Sequence, residues 1–278
     1  MDPRRPTSNS IVVDIFPSVV TPVVFAVIMF VGEYIYRASI DVTERFITLM
    51  DYTAQSSDGV TIISQDPTSP NPIQIQRSVN ERSGAEFAYS FFLYIEETTF
   101  SGNVELKHVF HKGYRTAWPL MSPGVFIKGE TNTMRVVIGT NKNPYKYGDV
   151  TNIPIGKWFH VVLNYYNSGL DVYVNANLAH RIKLENEVIY QNFQDVLIFS
   201  PNVADIRATT TPAASEDIGF HANANGKLSS MKYARYALSI KEINTLMAQG
   251  PSIRLKESSI NTNLSLLSDS WWTNQQSA

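Results

Sequence analysis

The stretch from Ile155 to Lys183 decides the fold of this chain, and it reads IGKWFHVVLNYYNSGLDVYVNANLAHRIK. Residues Trp158 to Tyr166 are apolar at both alternating positions, as in a central strand that is covered on both faces. After a turn at Asn167 to Gly169, in which glycine is expected to supply the left-handed conformation, apolar and polar side chains alternate from Leu170 to Asn175. The pattern predicts consecutive antiparallel strands joined by tight polar turns.

Two short motifs in this stretch match a known family pattern. They are GKWFH at 156–160 and DVYVN at 171–175, and KLSSMKYARYALS follows at 227–239. This order resembles the laminin-G-like branch of the concanavalin A-like lectin/glucanase superfamily, over residues 84–250. Ala176 departs from the pattern, because the family usually turns with a glycine there.

The resemblance implies an all-β fold, a two-sheet antiparallel jelly-roll sandwich. The superfamily contains lectins, adhesion modules, hydrolases and structural proteins alike, so the fold by itself does not assign an activity. Together with the flanking sequence it predicts four parts: a leader and transmembrane helix at 1–37, a linker and first strands at 38–83, the jelly roll at 84–250 and a docking tail at 251–278.

The composition excludes several classes of partner. The chain has 278 residues and a formal net charge of −2, so it presents no field that would attract nucleic acid. It has no cysteine, which rules out disulfides and thiolate metal sites. Glycine-rich phosphate loops are absent as well, and we expect no cofactor.

An apolar run from Ile15 to Gly32 contains no charged residue and is just long enough to cross ~30 Å of hydrocarbon. Asp14 and Glu33 bracket it, and no clear cleavage site follows it. We therefore expect a single-pass membrane helix that contacts lipid. A cleaved signal peptide and a buried core helix are the alternatives.

A short helix is predicted over Ile240 to Gln249. Ser239 and Glu242 have the spacing of a capping box, and Gly250 with Pro251 ends the pattern.

No catalytic constellation is recognisable in the sequence. Glycoside hydrolases place two carboxylates on one face of a strand, whereas the adjacent Glu96 and Glu97 point to opposite faces. By the same rule His108 and His111, three positions apart, are expected on opposite faces and therefore hold no shared metal. His160 is interpreted as a hydrogen-bonded, buried or half-buried residue.

A calcium site is conceivable by analogy with relatives, but no dense acidic loop is present. The available oxygen donors are Asp149, Asp171, Asp217 and Asn175. We predict no metal site.

Aromatic residues in loops and in the tail are the candidate contacts to a ligand or partner. They are Tyr114, Arg115, Trp118, Tyr145, Tyr147, Trp271 and Trp272. Such side chains suit ring stacking with a glycan and equally suit packing against a protein neighbour.

The sequence favours a non-enzymatic, membrane-anchored structural protein that works by protein contact. A minor capsid component of a large membrane-containing virus, located at the virion inner membrane and capsid, is the expected setting, with capsid proteins as neighbours. A membrane-tethered lectin or adhesion module is the alternative, and a degenerate glycoside hydrolase is the third hypothesis.

Overall fold

The computed structural model describes residues 20–35, 46–78, 80–81, 84–101, 106–114, 121–166, 169–200 and 222–256. The chain divides into two compact units, Met1–Phe46 and Ile47–Ala278. In the first unit, helix α1 spans residues 20–35 and its side chains are exposed.

The membrane helix expected from the sequence is not found. No helix in the described part of the chain is long and apolar enough to cross a bilayer. The described part of α1, residues 20–35, rises over ~24 Å at ~1.5 Å per residue, whereas a hydrocarbon core is ~30 Å thick. The predicted single-pass location, with its lipid contact through Ile15 to Gly32 and its place in a virion inner membrane and capsid, is therefore wrong. Residues 15–19 of that run lie outside the described residues.

The second unit is built from strands. In chain order they are β1 (Phe46–Gln55), β2 (Thr61–Ile63), β3 (Asn80–Glu81), β4 (Gly84–Ala85), β5 (Phe87–Ile95), β6 (Leu106–Lys112), β7 (Gly124–Lys128), β8 (Thr133–Ile138), β9 (Lys146–Thr151), β10 (Trp158–Tyr166), β11 (Gly169–Val174), β12 (Asn177–Lys183), β13 (Val196–Ile198), β14 (Ala222–Asn223) and β15 (Gly226–Ala234).

These strands form a sandwich of two antiparallel sheets, as the sequence predicts at this level of detail. The first sheet has the order β1-β15-β5-β10-β11-β12, and the second has the order β2-β13-β6-β7-β8-β9. Strand β14 adds a short parallel pairing to β6, and β3 pairs with β4 in a separate ribbon.

The core lies between the inner faces of the two sheets. At the centre of the first sheet, Phe91 on β5 pairs with Val161 on β10, and both are fully buried. The ring of Phe91 meets Phe110 of the second sheet edge-on, with centroids 5.0 Å apart. Since such a side chain fills space between both sheets, its loss is expected to cost ~3–5 kcal/mol.

The outer face of the first sheet is also covered, which explains why β10 is apolar at both alternating positions. The amide of Asn164 donates to the carbonyl of Leu238 and accepts from its N–H, at 3.1 and 2.8 Å. Lys232 on β15 bonds Gln249 near the end of the following helix. The chain from Leu238 onward is therefore held against the outside of this sheet.

Helix α2 (Ile240–Gln249) has the predicted bounds and the predicted cap. The Ser239 hydroxyl accepts from the Glu242 N–H, and the Glu242 carboxylate accepts from the Ser239 N–H at 2.8 Å. Gly250 follows with a φ of 72°. Two short 3-10 turns, Ser56–Asp58 and Glu97–Phe100, complete the helical elements that we name.

Strand β1 lies within residues 38–83, where the sequence predicts a linker and first strands. One glycine differs from the sequence expectation. Gly169 does not take a left-handed conformation. Glycine is required at this position because a Cβ would lie 2.5 Å from the carbonyl oxygen of Ile182 on the neighbouring strand.

The turn between β11 and β12 contains two residues with positive φ. Asn175 has a φ of 49° and Ala176 a φ of 61°, and Val174 pairs with Asn177 across this two-residue hairpin. Asparagine tolerates that conformation, but alanine is strained there by its Cβ. Ala176, where the pattern that the sequence resembles usually has glycine, is therefore a strained residue.

We expect Ala176→Gly to raise the free energy of unfolding by ~0.5–1 kcal/mol, because glycine relieves that strain. Urea denaturation measures the change. The matched control is Ala248→Gly in the exposed part of α2, which is expected to lower the same quantity by a similar amount because glycine is unfavourable in a helix. A loss of stability in Ala176→Gly would contradict the strain.

Candidate functional site

His108 and His111 lie side by side on the outer face of the second sheet, although the sequence predicted opposite faces. A β-bulge at Val109 shifts the register between β6 and β7, so that residues three apart share a face. The ring nitrogens His108 Nε2 and His111 Nδ1 are 2.7 Å apart. The period-two rule was wrong here because the strand contains one extra residue.

The hydrogen bonds around this pair fix both tautomers. The Ser200 N–H donates to His108 Nδ1 at 3.0 Å, so His108 carries its proton on Nε2 and donates to His111 Nδ1. His111 therefore carries its proton on Nε2 and donates to the Tyr114 carbonyl at 2.7 Å. All four ring nitrogens are satisfied only when both rings are neutral. Burial lowers the pKa of both histidines, and their proximity lowers that of His108 further.

His160 is a buried, hydrogen-bonded residue, as predicted. Its Nε2 lies 2.8 Å from the Ser90 hydroxyl, while the buried Nδ1 has no hydrogen-bond partner. Burial lowers the pKa of His160 to about 4. The imidazole is therefore neutral at physiological pH and unsuited to carry charge.

Tyr147, a predicted contact residue, lies in a cluster on the outer face of the second sheet. Arg135 forms a two-pronged bond with Asp149 at 2.8 and 2.9 Å, and its guanidinium carbon lies 3.9 Å from the centre of the Tyr147 ring. Lys128 also pairs with Asp149 at 2.7 Å. Burial opposes ionisation of Asp149, but these two cations outweigh it and lower its pKa. The cluster is therefore an ion-paired structural unit in which Tyr147 is partly exposed.

Of the other predicted contact residues, Tyr145 belongs to the same cluster and Tyr114 lies beside the histidine pair. Tyr145 packs against Tyr147, with ring centroids 5.5 Å apart, and burial raises the pKa of its hydroxyl to about 12. Tyr114 has 43% of its surface exposed and uses its carbonyl to accept from His111. The remaining four lie outside the described residues; they are Arg115, Trp118, Trp271 and Trp272.

The oxygen donors considered for calcium are used for other contacts. Asp149 pairs with Arg135 and Lys128, and Asp171 makes a two-pronged bond with Arg181 at 2.6 and 2.7 Å. The side-chain oxygen of Asn175 accepts from the His160 N–H. Asp217 lies outside the described residues. Within the described chain, no group of three or more His, Asp or Glu side chains could hold a metal ion.

The best candidate site is an open cleft of about 890 Å³, which we call the Phe193 cleft. Residues 65–67 and 74–77 line one part of it, and residues 193–195 line the other. Phe193 is 67% exposed, and the Arg77 guanidinium lies 5.5 Å from the centre of its ring. The volume and the mixture of an aromatic ring with polar groups suit a ligand site.

Lys112 on β6 holds the Phe193 segment in place. Its ammonium donates to the Asn192 carbonyl, the Asn192 side chain and the Gln194 carbonyl, at 2.6, 3.1 and 3.0 Å. Burial lowers the pKa of Lys112 to about 8, with Asp195 opposing the change. Since all three of its protons are used in hydrogen bonds, Lys112 positions the cleft wall.

Sequence reasoning missed this cleft for a clear reason. Its two parts are separated by more than 110 positions in the chain, and the pairing of β2 with β13 brings them together. One local signal was present, because Val188, Tyr190 and Phe193 form an exposed apolar series just before β13. Clustered exposed apolar side chains often mark interaction surfaces.

No protein-family model matches the chain, and no curated protein matches it. The solved structures with a similar arrangement are distant. They include the receptor binding domain of botulinum neurotoxin D (12% identity, TM-score 0.49, 75% of this chain and 53% of that chain), the botulinum neurotoxin serotype C1 binding domain (15%, 0.40, 59% and 36%) and Trypanosoma rangeli sialidase (13%, 0.38, 59% and 22%). This chain thus spans about half the length of the first structure and less of the others. At these values, none of the likenesses assigns a function.

The buried histidines predict how stability depends on pH. Their pKa values in the fold lie below the ordinary 6.5, so the unfolded chain binds more protons at acidic pH. These histidines should therefore add no pH dependence to the free energy of unfolding above pH ~6.5. That free energy should decrease as the pH falls from 6.5 to about 4, by at most ~1.4 kcal/mol per pH unit for each histidine.

Urea denaturation at several pH values measures this slope. His160→Gln should flatten it, because one neutral imidazole is removed from the folded state. Val162→Ala, at a buried position on β10 without a titratable group, is the control and should leave the slope unchanged. An unaltered slope in His160→Gln would contradict the assignment.

Proposed function

We propose that this protein is a non-enzymatic binding module that acts by contact, and that the Phe193 cleft is its main contact surface. The observation that carries the proposal is the chemistry of that cleft. It offers an exposed aromatic ring and side-chain amides, whereas its wall is held by a lysine whose protons are all engaged. Groups arranged in this way bind and orient a partner.

The finer fold assignment belongs to the same proposal. A two-sheet sandwich with a long central antiparallel pair supports a jelly roll of the concanavalin A-like superfamily. The motifs at 156–160 and 171–175, which form β10, β11 and the hairpin after it, favour the laminin-G-like branch. Binding by surface loops and edges is compatible with that architecture.

Two carboxylates line the Phe193 cleft, and their surroundings argue against glycoside hydrolysis. Asp66 accepts from the backbone N–H and the hydroxyl of Thr68, and the backbone bond is the larger cause that lowers its pKa. Asp195 accepts from the Gln65 N–H at 2.8 Å. A glycosidase needs one carboxylic acid with a raised pKa to protonate the leaving group. Asp66 has the opposite shift.

We therefore expect the full-length protein to release no reducing ends from neutral polysaccharides such as starch, cellulose, mannan, galactan and chitin. A reducing-sugar assay over the pH range 4–8 measures this. The matched variants are Asp66→Asn and Asp195→Asn, which keep the shape of the cleft. Release by the wild type that either variant abolishes would refute the non-enzymatic proposal.

A second contact surface lies beside the edge strand β1, and it supports a structural role among protein neighbours. Leu255 bridges to Thr53 in parallel, with bonds from the Thr53 N–H to Arg254 and from the Lys256 N–H to Thr53. Ile253 in this segment is 98% exposed, and Leu255 is also exposed. Apolar side chains presented at a sheet edge favour association with another protein surface. We propose a structural component of a larger protein assembly as the second candidate.

If this edge makes protein contacts, the purified chain should self-associate weakly as its concentration rises. The double variant Ile253→Ser and Leu255→Ser should weaken that association several-fold, because the exposed apolar area is removed. Sedimentation velocity measures it. Leu178→Ser, an exposed apolar position on β12, is the control. Equal association of wild type and double variant would count against this surface.

A further inference from the structure

The chain leaves the described part of the fold close to the Phe193 cleft. Lys256, the last described residue, donates from its ammonium to the Thr61 hydroxyl on β2 at 3.0 Å. Strand β2 ends at Ile63, and Gln65 already lines the cleft. At ~3.3 Å per residue, the extended chain from Thr61 to Gln65 covers ~13 Å. The residues after Lys256 therefore begin near one wall of the cleft.

The tail after Lys256 carries two adjacent tryptophans. It comprises residues 257–278, which lie outside the described residues, and it contains Trp271 and Trp272. The ~15 residues between Lys256 and Trp271 span at most ~50 Å when extended. That reach is several times the ~13 Å along β2. The tail is thus long enough to return both indole rings to the cleft of its own chain.

The apolar part of the cleft suits an indole ring. Phe193 is 67% exposed, and Pro67 and Ile75 also line the cleft. A tryptophan buries ~150–250 Å² of surface when it packs on such groups, and aromatic pairs favour offset or edge-on contacts. The volume of about 890 Å³ lies near the upper end of the range for ligand pockets. The cleft therefore has room for an aromatic pair.

The polar groups of the cleft match the remaining need of tryptophan. An indole N–H is a donor only, so a ring that leaves water needs an acceptor. Asp66 and Asp195 each have a carboxylate oxygen that makes no hydrogen bond within the described residues. The side-chain amide oxygens of Gln74 and Gln194 are available in the same part of the chain. Both indole N–H groups thus have acceptors within the lining.

One charge pair favours the same segment. Arg77 is the single cation among the residues that line the cleft, and its guanidinium lies 5.5 Å from the centre of the Phe193 ring without an ion pair in the described chain. Asp269, two positions before the tryptophan pair, is the single charged residue of 258–278. The Lys112 ammonium behind the wall offsets the charge of Asp195. Asp269 would therefore meet a free cation beside the ring that the tryptophans contact.

Tethering makes even a weak contact sufficient. A segment joined to its binding site by a short linker experiences an effective concentration on the order of 1 mM. A contact that has a Kd of ~1 mM between separate molecules is then about half occupied within one chain. A tail in the cleft competes directly with any partner for the same surface.

We propose that the tail folds back on its own chain and places Trp271 and Trp272 in the Phe193 cleft, which stays covered until a partner displaces them. This inference rests on the proposed contact function and adds how access to the cleft is controlled. If the tail occupies the cleft for about nine-tenths of the time, the apparent affinity of a partner is about tenfold weaker.

Acrylamide quenching of tryptophan fluorescence in the full-length chain tests the docking. Subtracting the emission of the double variant Trp271→Phe and Trp272→Phe isolates the tail pair from the other two tryptophans. Phe193→Ala, measured with its own subtraction, should increase the quenching of the pair at least twofold, because the rings lose their contact surface. Leu178→Ala removes an exposed apolar side chain from β12 and should leave the quenching unchanged. Equal quenching in the wild type and in Phe193→Ala would overturn the proposal.

Disulfide cross-linking locates the tail, and the chain has no cysteine that would interfere. Thr273→Cys, directly after the tryptophan pair, is combined either with Gln74→Cys in the cleft or with Ile62→Cys on β2. Ile62 is exposed, lies next to the residue that Lys256 contacts and does not line the cleft. Under mild oxidation of dilute protein, the pair with Gln74→Cys should form an intramolecular disulfide at least tenfold faster than the pair with Ile62→Cys.

The outcomes separate this inference from the proposed function. Equal cross-linking rates would mean that tethering alone brings the tail near, and they would overturn docking in the cleft. A disulfide between two copies of the chain would overturn docking within one chain. Neither result touches the contact function, whose test is the reducing-sugar assay. Hydrolysis in that assay would refute the contact function and leave the cross-link unchanged.

Discussion

The packing of the central pair β5 and β10 against the second sheet is the constraint on which the rest of the structure depends. These strands share eight paired positions, and their inner side chains are almost completely buried. Because side chains alternate between faces, a shift of one residue would expose the whole inner row. The register of this pair therefore fixes which residues face the core and which face outward, including those below α2.

Burial on the outer faces creates a second requirement, because polar groups there must be paired inside the protein. Arg135 with Asp149 and Arg181 with Asp171 meet it through two-pronged ion pairs on opposite sheets. His108 and His111 meet it by a directed chain of hydrogen bonds that suits only neutral rings. These clusters resemble candidate reactive sites in composition, but their groups are already satisfied. These charged residues and histidines, which the sequence offers as candidate ligands, thus stabilise the fold through contacts with one another.

The Phe193 cleft differs from these clusters because part of its polar surface is left open. Its wall is held by Lys112 from the core strand β6, so a rigid sheet positions a segment without regular structure. Rigid support combined with available groups is what favours binding here.

Local signals in the sequence were enough to predict several elements. The apolar pattern at 158–174 predicted the central hairpin, and the spacing of Ser239 and Glu242 predicted α2 with its cap, because strand period and capping depend on neighbouring residues. The apolar run at 15–32 misled, because the described helix covers residues 20–35 and is not long and apolar enough to cross a bilayer. Tertiary structure decided the rest. The bulge at Val109 brought two histidines to one face, and the pairing of β2 with β13 joined distant segments into a cleft. Such contacts depend on register and on pairing between remote strands, which no local pattern encodes.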